Sequence, residues 1–336
     1  MKPILSIIIP AYNASKYIER CLDAIFVHGG LDKDSLNLIE TIVVDDCSKD
    51  NTSEIVRQYA GKNELQNIIA IRHEINRQQG AARNTGLKCA QGNLVWFVDV
   101  DDIIMPGFLS ILKDDICLSN IDVLQFNAVE QDLEGNQYSE IFLPETIKGM
   151  SGVKYLEYEA NIHYENRIRA SWSKWYRKDF LIHNGLLFEE GVYWEDVVHT
   201  LKSIYLSNNF LYLPIIGYVY IQTPNSDMRG IQDGRKFADT IRFCVNSFEF
   251  FKQVKASNTI VEFQMEYYER VLNKNNHKLH MLPMGEFQIF DNLVSKLNLS
   301  IINEFCFSNK YEWLMSSRSE ERRVGKECRS RWSPYH

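Results

Sequence analysis

Short apolar runs that stop at polar turns and give way to helical periodicity recur through the first half of the chain, and this alternation admits few folds. Leu5–Ile9 is apolar but for Ser6, mostly β-branched, and is stopped by Pro10, the pattern of a parallel strand covered on both faces. Tyr17, Ile18, Cys21, Leu22 and Ile25 then recur at helical spacing, predicting a helix within Ser15–Phe26. Thr41–Val44 reads as a second strand. The turn Asp45–Asn51 follows, then a helix to about Tyr59 that Asn51, with Glu54 three residues on, is placed to cap. Ile68–Ile71 reads as a third strand before a helix over Gly80–Ala90, and Leu94–Val98 as a fourth before a helix whose first turn would take Pro106. Val123–Phe126 would be a fifth strand. The alternation predicts an α/β fold with right-handed crossovers, a mainly parallel central sheet flanked by helices, and a ligand crevice at the carboxyl ends of the strands.

The polar clusters fall at those ends: Pro10–Asn13, Asp45–Ser48 and Asp99–Asp102. Three acids as close as Asp99, Asp101 and Asp102 repel one another and resist burial, so a fold that keeps them together needs a compensating cation; a divalent metal is the simplest. A turn, by contrast, needs one acid at most. Asp45 and Asp46 taken alone suit turn and capping chemistry as well as binding, and Tyr12 alone reads as a rim aromatic. A dinucleotide-binding turn would carry GxGxxG after the first strand and a P-loop GxxxxGK[ST]; the chain has PAYNAS there and neither motif. Carboxylates holding a metal therefore replace a glycine-rich cradle as the expected partner of a diphosphate.

The 336 residues, 45% of them apolar, can bury a large core. Residues 318–336 differ from the rest. They are basic, lack periodicity and resemble, residue for residue, the translation of a sequencing-library adapter. That segment holds six Lys/Arg and three Asp/Glu, so without it the net charge moves from -7 to -10, which argues against nucleic acid as a partner. On this reading the natural chain was cut near Ser317. The other six of the seven cysteines are scattered without CxxC or zinc spacing, as in reduced cytosolic proteins. The N-terminus MKPILSIIIP is too briefly apolar for a signal peptide or a membrane span, so a cytoplasmic location is expected, with peripheral contact at the inner face of the membrane left open.

Five segments, in order, resemble family 2 glycosyltransferases of the GT-A fold: Ser6–Asn13 (SIIIPAYN), Glu40–Thr52 (ETIVVDDCSKDNT), Asn76–Leu87 (NRQQGAARNTGL), Gly92–Asp102 (GNLVWFVDVDD) and Trp194–Val197 (WEDV). The resemblance implies an inverting, metal-assisted transfer of a sugar from a nucleotide-diphosphate donor, UDP by preference, to a glycan or lipid-linked glycan in cell-surface polysaccharide synthesis. It implies that Tyr12, beside Pro10, flanks the base, that Asp46 accepts from the base imide with Asp45 in support, and that Arg83 sits near the nucleotide. Asp99, Val100 and Asp101 look like the family's DxD motif, with Asp99 toward the ribose, Asp101 as the ligand of Mg2+ or Mn2+, and Asp102 orienting or sharing that role. Two positions depart from the pattern, because Cys47 and Gln78 stand where the family favours Gly. The loop Val27–Asn37 is also longer than expected.

Beyond about Ile147 the alternation fades and aromatics crowd in, from Tyr155, Tyr158 and Tyr164 through Trp172, Trp175 and Tyr176 to Tyr193 and Trp194. They suit either an acceptor cleft or an ordinary helical core. Glu195 and Asp196 open a helical segment where two acids would complement the helix dipole. The resemblance makes Asp196 the catalytic base, with Glu195 in support. A zinc reading of Glu195 with His199, or of His277 with His280, finds too few ligands. Tyr218–Gly230 resembles the family's strand and loop after the base, which implies that Ser226 and Arg229 touch the diphosphate or close over the donor. The expected organisation is a transferase domain over 1–230, a helical region over 231–317 and a non-native tail over 318–336. The alternatives are a non-catalytic glycan- or nucleotide-binding relative and an inactive fragment. A nucleotidyltransferase would need a glycine-rich basic loop that PAYNASKY does not supply.

Overall fold

The computed structural model describes residues 2–113, 120–132, 134–141, 147–162, 170–222, 233–279 and 282–301. Ser226, Arg229, Tyr164 and the basic tail lie outside the described residues. The chain divides into two compact units, Met1–Gly230 and Ile231–His336.

The first unit is built on one sheet. Its leading strands β1 (Leu5–Ala11), β2 (Ile39–Asp45), β3 (Ile68–Arg72) and β4 (Leu94–Phe97) pair in parallel in the order β3-β2-β1-β4. Every residue of β1, β2 and β4 is buried, the polar Ser6, Glu40, Thr41 and Asp45 included, as strands covered on both faces require. At about 1.5–3 kcal/mol for each buried Leu, Ile, Val or Phe, this slab is the main favourable term in the unit. Helices α1 (Ile18–Phe26), α2 (Thr52–Lys62) and α3 (Gln78–Cys89) fill the crossovers. Close packing has a chemical requirement: a Cβ on Gly86 of α3 would lie 2.3 Å from Cγ2 of Ile8, so only glycine lets α3 approach β1 here.

Past β4 the parallel pattern breaks. A two-residue strand β5 (Ile103–Ile104) follows the acidic turn, then β6 (Val123–Gln131), β7 (Gln137–Ile141) and β8 (Ile147–Met150). Helix α4 (Gly152–Asn161) leads to β9 (Lys174–Arg177), α5 (Lys178–His183), α6 (Glu195–Leu206) and β10 (Phe210–Ile221). Strand β9 lies antiparallel between β4 and β6, and β6 pairs in parallel with β10. The expected parallel sheet thus holds for β3-β2-β1-β4 and becomes mixed beyond it. Antiparallel insertion of a strand as short as β9 leaves no alternating β-α signature for the sequence to display.

Two local expectations are corrected. Asn51 makes no side-chain cap; Asp50 accepts from both the Thr52 N–H and its hydroxyl and starts α2 instead. Pro106 precedes a 3-10 turn at Phe108–Lys113 rather than an α-helix.

The second unit contains α7 (Gly234–Val254), α8 (Asn258–Leu279) and α9 (Met284–Val294). Asp233 caps α7 by accepting from the Arg235 N–H at 2.7 Å. Its apolar stripe, including Ile241, Cys244, Phe248 and Phe251, is core. No helix among the described residues is long and apolar enough to cross a membrane.

Candidate active site

The parallel register delivers Ala11 and Asp45 side by side at the carboxyl edge, and β4 ends at Phe97 opposite Ile8, so that Asp99 follows toward the same edge. The Asp46 N–H donates to the Ala11 carbonyl at 2.8 Å, so Tyr12 leaves β1 directly beside the Asp45–Asp46 turn. Tyr12 is 45% exposed there. Asp45 is a buried structural acid: it accepts from the Ser48 N–H, the Ser53 hydroxyl and Arg72, which together close the turn.

Asp46 is more fully committed than its sequence suggests. Its carboxylate accepts from the Arg77 N–H at 2.9 and 3.0 Å, from the Gln78 N–H at 2.6 Å, and pairs with Nδ1 of His73 at 2.7 Å. Those donors meet the lone-pair positions a carboxylate offers, so Asp46 anchors the N-terminus of α3. His73, whose Nε2 lies 2.9 Å from the Thr85 hydroxyl, was missed by sequence reasoning. Its place at the carboxyl end of β3 is the signal that could have found it. Cys47 and Gln78, the two departures from Gly, both have left-handed backbone, with φ of 65° and 68°. That geometry explains the usual glycine.

Helix α3 then reaches across to the segment before α6. Asn84 holds Phe188 like a sheet partner, donating to its carbonyl and accepting from its N–H, both at 2.9 Å. A Cβ on Gly80 would lie 2.5 Å from the Glu189 carbonyl, so this approach also depends on glycine. Arg83, only 2% exposed, donates to Asp99 at 2.7 Å and to Glu195 through its other terminal nitrogen, with its guanidinium 5.3 Å from the Phe188 ring centroid. Arg83 thus joins the acidic turn to α6.

The two acids that open α6 are not equivalent. Glu195 is buried and paired, and burial pushes its carboxyl up to about 7 against the pull of Arg83. Asp196 is partly exposed, and its carboxylate accepts a long hydrogen bond, 3.4 Å, from the Ser171 N–H. Burial, with Asp99 nearby, raises its carboxyl above the ordinary aspartate value while Arg83 opposes. Trp194 immediately before them is left-handed, with φ of 63°, a conformation costly for a bulky side chain and frequent at functional sites. His199, one turn further, is packed against Phe188 with ring centroids 3.9 Å apart and meets Phe97 and Tyr176 edge-on. It is a core histidine.

Asp99, Asp101 and Asp102 divide their labour. Asp99 keeps 26% of its side chain exposed, and Asp101 is partly exposed with its carbonyl accepting from Arg20 at 2.5 Å. Asp102 is buried and accepts from the Tyr218 hydroxyl and the Ile221 N–H, each at 2.8 Å. Among the described residues no group of three or more His, Cys, Asp or Glu is arranged to hold a metal alone. The donor set nevertheless fits Mg2+ or Mn2+, since partly exposed carboxylates at Asp99 and Asp101 are hard oxygen ligands and such ions ordinarily complete their shell with water and substrate phosphates.

Residues 6–185 match the family model for glycosyl transferase family 2, and the chain belongs to that family. With the mixed sheet and its flanking helices it has the GT-A fold. Among relatives, EpsJ of Bacillus subtilis, described as an uncharacterized glycosyltransferase, is 27% identical over 67% of this chain and 63% of its own. TuaG of the same organism, a putative teichuronic acid biosynthesis glycosyltransferase, is 42% identical over 30% of this chain and 37% of its own. The matches therefore span less than two-thirds of either relative's length. In fold, residues 1–349 of S. aureus TarS, crystallised with UDP-GlcNAc, superpose with a TM-score of 0.68 at 22% identity, covering 98% of this chain and 92% of that one.

Proposed function

We propose that this chain is an inverting glycosyltransferase that moves a sugar from a UDP-linked donor to a glycan acceptor in cell-surface polysaccharide synthesis, assisted by Mg2+ or Mn2+. The observation that carries the reading is the Arg83 clamp, which holds partly exposed Asp99 of the acidic turn on one side and Glu195, the neighbour of Asp196, on the other. The resemblance in fold to a protein crystallised with UDP-GlcNAc supports the donor class, and the relative named for teichuronic acid synthesis supports the acceptor class.

Asp196 is the base in this reading. The acceptor hydroxyl gives its proton to Asp196 as its oxygen bonds to the anomeric carbon, and the bond from that carbon to the diphosphate breaks with its electron pair leaving on UDP. Glu195, buried against Arg83, is a positioning residue that fixes the start of α6. Tyr12 flanks the base, and Asp46 holds the pocket wall through Arg77 and Gln78. A direct bond from a uracil imide to Asp46 requires one of its donors to yield, and His73 can, by turning its ring. A bound metal, held by Asp101 with Asp99 beside it, supplies charge neutralisation on the departing diphosphate. A cytoplasmic location, with room for peripheral contact at the inner face of the membrane, belongs to the same proposal.

Asp196→Asn tests the base. UDP-sugar affinity should stay within about threefold while turnover falls by at least 10²-fold. Turnover close to wild type would reject Asp196 as the base.

A further inference from the structure

The acidic turn owes its shape to a tyrosine on another strand. Tyr218, fully buried in β10, uses one oxygen twice: it accepts from the Asp99 N–H at 3.1 Å and donates to Asp102 at 2.8 Å. The second oxygen of Asp102 accepts from the backbone N–H of Ile221, three residues further along β10. Pairing of β5 with Val219 and Tyr218, and the Met105 N–H donating to the Gly217 carbonyl, fasten the far side of the turn to the same strand. Both ends of Asp99–Asp102 are therefore tied to β10.

The Tyr218 ring carries the link onward. It stacks on Trp172 at 4.6 Å between centroids and 10° between planes. Trp172 is fixed in turn, since its carbonyl accepts from the Trp96 indole N–H at 2.6 Å. Its chain neighbour Ser171 offers the N–H that faces Asp196. One phenol thus stands between the acid turn and the segment beside the α6 carboxylate.

We propose that Tyr218 and Asp102 are positioning residues for the metal–diphosphate end of the donor site: Asp102 is an internal anchor and not a metal ligand, and Tyr218 sets the placement of Asp99 and Asp101. The inference rests on the metal-assisted reading above. Each oxygen of Asp102 already accepts one protein donor and the residue is only 1% exposed, so its remaining lone pairs lack the open face that an ion with its water and phosphate ligands needs. Asp99 and Asp101 keep partial exposure.

The test is isothermal calorimetry of UDP binding to the full chain, with saturating Mn2+ and again with EDTA, on wild type, Tyr218→Phe, Asp102→Asn, Asp102→Ala and Asp101→Asn. Tyr218→Phe deletes both phenol bonds without changing the ring. Asp102→Asn keeps an oxygen for the Ile221 N–H and an amide for the phenol oxygen. Tyr218→Phe and Asp102→Ala should weaken UDP binding about tenfold with Mn2+ and leave binding in EDTA unchanged, a split that general loosening would not produce. Asp102→Asn should stay within about threefold of wild type. Loss in Asp102→Asn equal to that in Asp101→Asn marks Asp102 as a ligand and overturns the inference, as does wild-type affinity in Tyr218→Phe. Wild-type binding that is the same in Mn2+ and EDTA overturns the metal-assisted reading itself, and the inference with it.

Discussion

The Arg83 guanidinium lies 2.7 Å from the Asp99 carboxylate and is buried on α3, so the end of β4 and the start of α6 are fixed against one side chain. A buried arginine between two acids is destabilising to break, because each acid loses its counter-charge. Arg83→Met should cost about 3–5 kcal/mol in denaturant unfolding. Arg83→Lys should recover little of it, since one ammonium cannot reach both carboxylates as a planar fork does. Full stability in Arg83→Met would remove the clamp from the account.

The two α6 acids should separate in their pH behaviour. A base must be deprotonated, so turnover falls as pH drops, and the raised Asp196 value moves that fall above the ordinary aspartate range. Glu195, pushed up to about 7, adds a second step because the two acids share one environment. Glu195→Gln should therefore retain measurable turnover and lose the component of the pH–rate profile near 7. A profile identical to wild type would contradict the coupling.

His199 predicts a pH dependence of stability with a definite sign. Burial among aromatics depresses its imidazolium value to about 3, below the 6.5 of an exposed histidine. Its stabilising contribution is complete above pH 6.5 and is lost as pH falls from there toward 3, at about 1.4 kcal/mol per pH unit. Replacement by Leu should flatten the unfolding free energy between pH 6 and 4; an unchanged slope would contradict the assignment.

Restoring glycine should stabilise the turn and helix start. Gln78→Gly relieves a left-handed φ of 68° and removes a buried Oε1 that has no described partner, for a gain of about 0.5–1 kcal/mol. Cys47→Gly should gain less, because its thiol donates to the Glu74 carbonyl. Thermal melts of the two variants check the order.

What the sequence made legible follows from period. Leu5–Ile9 and Leu94–Val98 announce buried strands because every residue in them but Ser6 is apolar, and the acids that follow fall at the carboxyl edge by topology alone. Strand β9 was not legible, since Lys174–Arg177 carries two basic residues in four and finds its partners far along the chain. Site roles were harder still. Arg83 and Asp46 were found as residues but not as structural hubs, because hydrogen-bond saturation is a property of neighbours brought in by folding: His73 from β3, Glu195 from α6. Tyr218 gave no signal, being one aromatic among several in Tyr218–Ile221, and only its two bonds to the acidic turn distinguish it.

The central claim is metal-assisted transfer from a UDP-sugar, and UDP release measures it most directly. The full chain is incubated with UDP-GlcNAc or UDP-glucose and water as the default acceptor, in Mn2+ or in EDTA, alongside Asp101→Asn and Asp196→Asn. Wild type should release UDP in Mn2+ alone, with release reduced at least 10²-fold in both variants and Asp196→Asn still binding donor. Release that persists in EDTA and in Asp101→Asn would contradict that claim.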